Sequence, residues 1–248
     1  MSKIFEKIAT PLEGCFELQS IVRGNRRGSF IKTLHADAFT ELGLAADFKE
    51  EYYSTSIKNV LRGLHFQTPP DDHEKLIYCP EGAVMDVAVD LRKNSATFGK
   101  HATCLLEGGK GNLMYLPKGF AHGFLTLSER AIIVCKTTTV YSPENDTGIL
   151  WSSCSIDWQC DAPILSDKDM NLPPLAEFDL PFKGGDTVKF FEKVATSIDD
   201  CLELQPTICE DSCGSLPAPC KKSRPIWFGF LITCCGGEVI KEFNRQAA

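Results

Sequence analysis

The 248-residue chain has no uninterrupted apolar stretch of the roughly 20 residues that a bilayer-spanning helix requires. One apolar segment, IWFGFLITCC (226–235), runs for about ten residues, enough to lie on a membrane or to cover part of a domain. The opening MSKIFEKIATPLEG carries charges through its first seven residues and has no apolar core of signal-peptide type, so a cytoplasmic location is expected. A basic surplus is also missing. With 26 Lys and Arg against 33 Asp and Glu, the net charge of -7 leaves no electrostatic footprint for nucleic acid or an anionic membrane, and an anionic ligand must be held locally. No internal repeat is found.

Cysteine is plentiful, at twelve residues, but Cys-x-x-Cys pairs are absent. Six cysteines up to Cys160 are scattered singly through apolar segments and are expected as free thiols. In the tail, Cys209, Cys213, Cys220, Cys234 and Cys235 have the wrong spacing for a zinc knuckle. Adjacent Cys234 and Cys235 would permit lipidation.

From about residue 15 to 160 short β-type runs alternate with turn signals, and only HADAFTELGL (35–44) reads as a helix. An all-β sandwich or small barrel is therefore expected. In GAVMDVAVDLR, Met85, Val87, Val89 and Leu91 alternate with Val84, Asp86, Ala88 and Asp90, which predicts a strand with one wetter face. AIIVCKTTTVY puts Cys135, Thr137, Thr139 and Tyr141 on one face, as the lining of a cavity. Near residue 180 the character changes. We place a domain at 1–180 and a Cys-rich extension, expected to be poorly ordered or loosely docked, at 181–248; its first part, DLPFKGGDTVKFFEKVATSIDDCLEL, predicts one short helix.

The chemistry concentrates in NVLRGLHFQTPPDDHEKLIY (59–78), where polar His65, Gln67 and Lys75 stand among residues built for burial. A second histidine, His122, sits in the turn-flanked LPKGFAHGF. Two histidines on neighbouring strands suggest a metal site, but the position that would complete it carries the cation Lys75, which repels a divalent ion. A neutral imidazole beside an ammonium is suited instead to removing a proton from carbon next to a carbonyl, with the cation on the enolate oxygen.

The runs RGSF (27–30), VLRGLHFQ (60–67), KLI (75–77), DVAVDLRKNSATFGK (86–100), LPKGFAHGF (116–124) and LSDKD (165–169) resemble the dTDP-4-dehydrorhamnose 3,5-epimerase family over about residues 10 to 175. The resemblance implies a cupin-type β-barrel or jelly roll with a few short helices and the C-terminal extension. It also implies a homodimer acting on a nucleotide-diphosphate sugar, a 4-keto-6-deoxy sugar inverted at carbons 3 and 5 without metal or cofactor. Carried over by position, His65 is the base, Asp169 the carboxylate that orients it and Lys75 the cation at the enolate. His122 and Lys168 are substrate contacts, Arg27 and Arg62 hold the diphosphate, and Tyr141 stacks on the base; Gln67 and Asp146 complete the binding set. Strand alternation puts Arg62 on the face opposite His65, which calls for a bulge or a neighbouring subunit.

Three departures from the family pattern involve four positions. Cys135 occupies the place of the tyrosine acid, so the proton comes from a thiol, from Tyr141, from solvent, or only one carbon is inverted. Glu50 and Tyr52 replace a Gln and an Asn at the nucleotide, and a carboxylate suits guanine or cytosine better than thymine. Lys32 replaces a glutamate near the ligand. Two other readings stay open: a non-catalytic sugar-nucleotide-binding cupin, and a related keto-isomerase.

Overall fold

A computed structural model describes residues 3–182 and four short strands beyond them. The chain divides into two compact units, Met1–Gly185 and Asp186–Ala248. In the second, β14 (Glu192–Ala195) pairs with β15 (Leu202–Gln205), and β16 (Cys234–Cys235) with β17 (Glu238–Val239), all antiparallel. The segment expected to hold a helix thus contributes two strands among its described residues. Cys209, Cys213 and Cys220 of the zinc question, and the apolar run before Cys234, lie outside the described residues. No helix among the described residues is long and apolar enough to cross a membrane.

The first unit is two sandwiched antiparallel sheets. Its strands are β1 (Phe5–Ala9), β2 (Phe16–Ser20), β3 (Arg23–Asn25), β4 (Gly28–Phe30), β5 (Glu50–Ile57), β6 (Leu61–Gln67), β7 (Lys75–Glu81), β8 (Ala83–Asp90), β9 (His101–Glu107), β10 (Asn112–Leu116), β11 (Phe120–Thr126), β12 (Arg130–Thr137) and β13 (Asp146–Gly148). One sheet runs β1-β2-β10-β7-β12-β5 and the other β13-β6-β11-β8-β9; β3 and β4 form a separate hairpin. Two helices are short, α1 (Ala36–Glu41) and α2 (Asp167–Met170). The expected helix at 35–44 is trimmed at both ends: His35 caps its start, and Gly43, at φ +69°, turns the chain out after Leu42.

Period-two alternation sends side chains into three layers. Ile77, Val84, Met114, Phe120 and Ile133 fill the space between the sheets. Leu61, Leu64, Val87, Val89 and Trp158 cover the outer face of the five-stranded sheet, and Phe39 of α1 packs with Phe5 and Leu76 on the other outer face. Each such side chain contributes about 1.5–3 kcal/mol by leaving water. The six cysteines of this unit that are described are all free.

The β8 pattern needs a correction. Its polar face is not wetter: Asp86 and Asp90 point between the sheets and are fully buried. Asp90 is satisfied by the backbone N–H, Nε and Nη2 of Arg92 at 3.0, 2.9 and 2.8 Å, and by the hydroxyls of Ser95 and Thr97 at 2.6 and 2.7 Å. The run DLRKNSAT is therefore a turn staple built on one carboxylate. Burial alone would raise the Asp90 pKa, but these donors outweigh it and hold the carboxyl below its ordinary range. A depressed carboxyl stabilises the fold above its unfolded pKa of about 3.9 and loses that contribution as pH falls through the lower folded value. We expect Asp90→Asn to cost about 3–5 kcal/mol at neutral pH. Urea unfolding should also show a shallower loss of stability below about pH 4 than in the wild type; equal stabilities at pH 7 would refute the staple.

Candidate active site

The site begins with an irregularity in β6. His65 faces His122 of β11, while Arg62 faces Phe124, so β6 spends one residue more than its partner over this interval. That bulge restores Arg62 to the same side as His65, which regular alternation forbids. It is built on Gly63, at φ +124°, where an added Cβ would lie 2.5 Å from Gly123 Cα and 2.8 Å from His122 O. Glycine is required on both counts.

α2 supplies the second member. Ser166 caps it, its hydroxyl accepting from the Asp169 N–H at 3.1 Å, which turns the third-position carboxylate back toward β6. Asp169 Oδ1 lies 2.6 Å from His65 Nε2, and its Oδ2 accepts from the Gly63 N–H at 3.3 Å. Burial works against ionisation of Asp169, but the bonds from His65, Gly63 and Ser166 prevail and keep the carboxyl below its usual range. A carboxylate on one imidazole nitrogen fixes the tautomer and leaves the other nitrogen free to work.

The opposite wall comes from the six-stranded sheet. Lys75, at the start of β7, is buried, and its ammonium donates to the His65 carbonyl at 3.2 Å. Burial pushes the Lys75 pKa down, while Cys135, Asp146 and Asp86 pull it back toward the charged form. Next to β7, Cys135 of β12 is directly opposite Tyr52 of β5. Burial raises the Cys135 thiol, offset in part by Lys75 and the Tyr52 hydroxyl.

Two adjoining cavities of about 310 and 270 Å³ share His65, Lys75 and Tyr52. The first is also lined by Glu50, Gln67, His73, Tyr141 and Asp146, and the second by Arg62, His122, Cys135, Lys168 and Asp169. Lys168 and Asp146 form an ion pair that joins them, and this bond keeps Lys168 above its ordinary pKa. One oxygen of Glu50, Oε2, accepts the Tyr141 N–H at 2.6 Å. Gln67 Oε1 likewise accepts the Ser142 N–H at 2.7 Å.

Twelve of the fourteen residues singled out in the sequence border these cavities. Arg27 and Lys32 do not. Arg27 is exposed in the β3–β4 turn, and Lys32 lines a separate cavity of about 70 Å³ with Arg23 and Phe30. Two site residues escaped the sequence reading. Asp86 holds His122 Nε2 at 2.7 Å, making a second His–Asp pair, and its Oδ2 is buried with no partner among the described residues. Strand alternation grouped it with Ala88 on the face expected to be wetter. His73 shares Lys75's face, two residues earlier, and its Nε2 is also buried and unpartnered. Burial, then the nearby Lys75, Lys118 and His122, lower His73 to about 3, so it is neutral at physiological pH.

A sandwich of two antiparallel sheets with a His–Asp pair facing a buried lysine across an open cavity defines a class, a β-fold isomerase. Residues 9–177 match the family model described as dTDP-4-dehydrorhamnose 3,5-epimerase. An Escherichia coli (strain K12) enzyme of that description is 45% identical over 174 residues, covering 68% of this chain and 94% of its own. A dTDP-4-dehydrorhamnose 3-epimerase from Streptomyces niveus is 34% identical over 169 residues, covering 67% and 82%. The crystal structure of dTDP-6-deoxy-D-glucose-3,5-epimerase from Legionella pneumophila in complex with dTDP-4-keto-L-rhamnose superposes with a TM-score of 0.70 at 35% identity, over 73% of this chain and 99% of that one. The chain belongs to the dTDP-4-dehydrorhamnose 3,5-epimerase family and is an isomerase of that type.

Proposed function

We propose that this enzyme inverts carbon 3, carbon 5 or both of a 4-keto-6-deoxy sugar carried on dTDP, by proton removal next to the ketone. The observation that carries the reading is the His65–Asp169 pair at 2.6 Å in a cavity shared with buried Lys75. His65 takes the proton, Asp169 orients and stabilises the imidazolium, and Lys75 meets the charge that develops on the enolate oxygen. An ammonium made partly uncomfortable by burial gains most when that negative charge appears, so it favours the transition state over the bound ketone. Arg62, with its Nε on Ser56 Oγ at 3.0 Å, is aimed into the same cavity and suits the diphosphate. Tyr141, exposed at the mouth, suits stacking on the base.

The nucleotide reading shifts from the sequence expectation toward dTDP. Glu50 is engaged by Tyr141, and the named relatives act on or bind dTDP sugars. Arg27 and Lys32 enter this reading only through a homodimer, in which the exposed β3–β4 hairpin reaches the mouth of a second copy's cavity. No metal or cofactor is invoked, and the reaction is one of the cytoplasm.

The test is solvent exchange. In D₂O with dTDP-4-keto-6-deoxyglucose, ring-proton NMR should show deuterium entering at carbon 3, carbon 5 or both, with an epimer accumulating. Tight binding of the nucleotide sugar without exchange at either carbon would leave a binding protein and refute the enzyme reading.

A further inference from the structure

Inversion needs two groups on opposite faces of the reacting carbon: one to remove the proton and one to return it. His65 belongs to the five-stranded sheet, and the six-stranded sheet forms the wall across the cavity, where a returning group would stand. Lys75 there is committed to the oxygen. Cys135 is buried and borders only the second cavity. The residue directly across from it on β5 is Tyr52, which borders both cavities together with His65 and Lys75. Of the tyrosines in the described residues, Tyr141 reaches only the first cavity, and Tyr115 is tied to Glu74 and the Ala45 N–H outside it.

We infer that Tyr52 is the acid that protonates the sugar on the face opposite His65, with Cys135 as the buttress that sets the position of its hydroxyl. The inference rests on the proton-abstraction reading above. Although about half of Tyr52 is exposed, its hydroxyl end is the buried one: burial, then the neighbouring Cys135, push its pKa up. The phenol therefore stays protonated across the physiological range, while an enolate carbon remains basic enough to take its proton. The balance closes without a co-reactant. His65 accepts the C–H proton and the C–H electron pair enters the enolate. The enolate carbon then forms a bond to the Tyr52 hydroxyl proton, the carbonyl is restored, and the O–H pair stays on the phenolate. Water at the open mouth reloads Tyr52 and discharges His65.

The experiment uses the full chain and dTDP-4-keto-6-deoxyglucose in D₂O. Tyr52→Phe should lower epimer formation about 10²- to 10⁴-fold. It should still place deuterium in recovered substrate of unchanged configuration, because His65 returns an exchanged proton to the face it came from. Epimer formation at the wild-type rate in Tyr52→Phe overturns the inference, as does loss of exchange along with epimerisation while dTDP still binds. Cys135→Ala that abolishes inversion while Tyr52→Phe keeps it also overturns it, naming the thiol as donor. Placing 3,5-difluorotyrosine at position 52, which keeps a phenolic proton donor of lower pKa, should restore epimer formation relative to Tyr52→Phe; formation no faster than in Tyr52→Phe overturns the assignment. Exchange surviving in a His65 variant would instead fault the base.

Discussion

His65→Ala is expected to bind dTDP as the wild type does and to exchange neither the carbon 3 nor the carbon 5 proton. The imidazole sits between the Asp169 carboxylate at 2.6 Å and an open cavity, with its side chain about one-third exposed. That exposure is what access to a substrate requires and what a packed core histidine lacks. Loss of a positioned base typically costs about 10²- to 10⁴-fold. Asp169→Asn should fall in the same range. The double variant should lose little more than either single one, because the two groups act as a unit. NMR exchange in D₂O checks both, and retained exchange in His65→Ala removes His65 from the reaction.

Gly63→Ala is expected to damage fold and chemistry together. Its Cβ would meet Gly123 Cα at 2.5 Å and His122 O at 2.8 Å, and both are backbone atoms with no rotamer to yield. Positive φ adds strain of about 1–3 kcal/mol, and overpacking a further 1–3. Should β6 escape by giving up its bulge, Arg62 would turn to the other face and the His65–His122 pairing would slip. Denaturant unfolding should show a loss of about 2–6 kcal/mol with no measurable exchange. A variant with wild-type stability and turnover would show that the bulge is dispensable.

The split between what was and was not legible in the sequence follows the range of each interaction. Alternation in GAVMDVAVDLR and AIIVCKTTTVY named the right faces, because a period of two is local. It misjudged which face of β8 was dry, because Asp86 is bonded to His122 and Asp90 to the turn that follows, both outside what the alternation reads. Arg62 was readable as a contradiction needing a bulge, and the bulge is there. Which residue stands across from Cys135 depends on strand pairing over 83 positions, from Tyr52 to Cys135, and no local pattern encodes it. The same holds for the bond from the Tyr141 N–H to Glu50, which spans 91 positions. Arg27 and Lys32 matched a motif by position, and position alone does not bring a side chain to the cavity.

The proposed base and the inferred acid stand on different sheets, and the space between those sheets is filled by the shared layer of Ile77, Met114, Phe120 and Ile133. Facing sheets lie about 10 Å apart, and that gap is a caliper closed on the sugar ring. Trimming the layer would let its jaws relax unequally, so a proton could still be lost to one jaw while the other no longer reached the carbon. Stereochemical fidelity would then rest on this hydrophobic layer as well as on the reacting groups, with Ile133 itself bordering the second cavity.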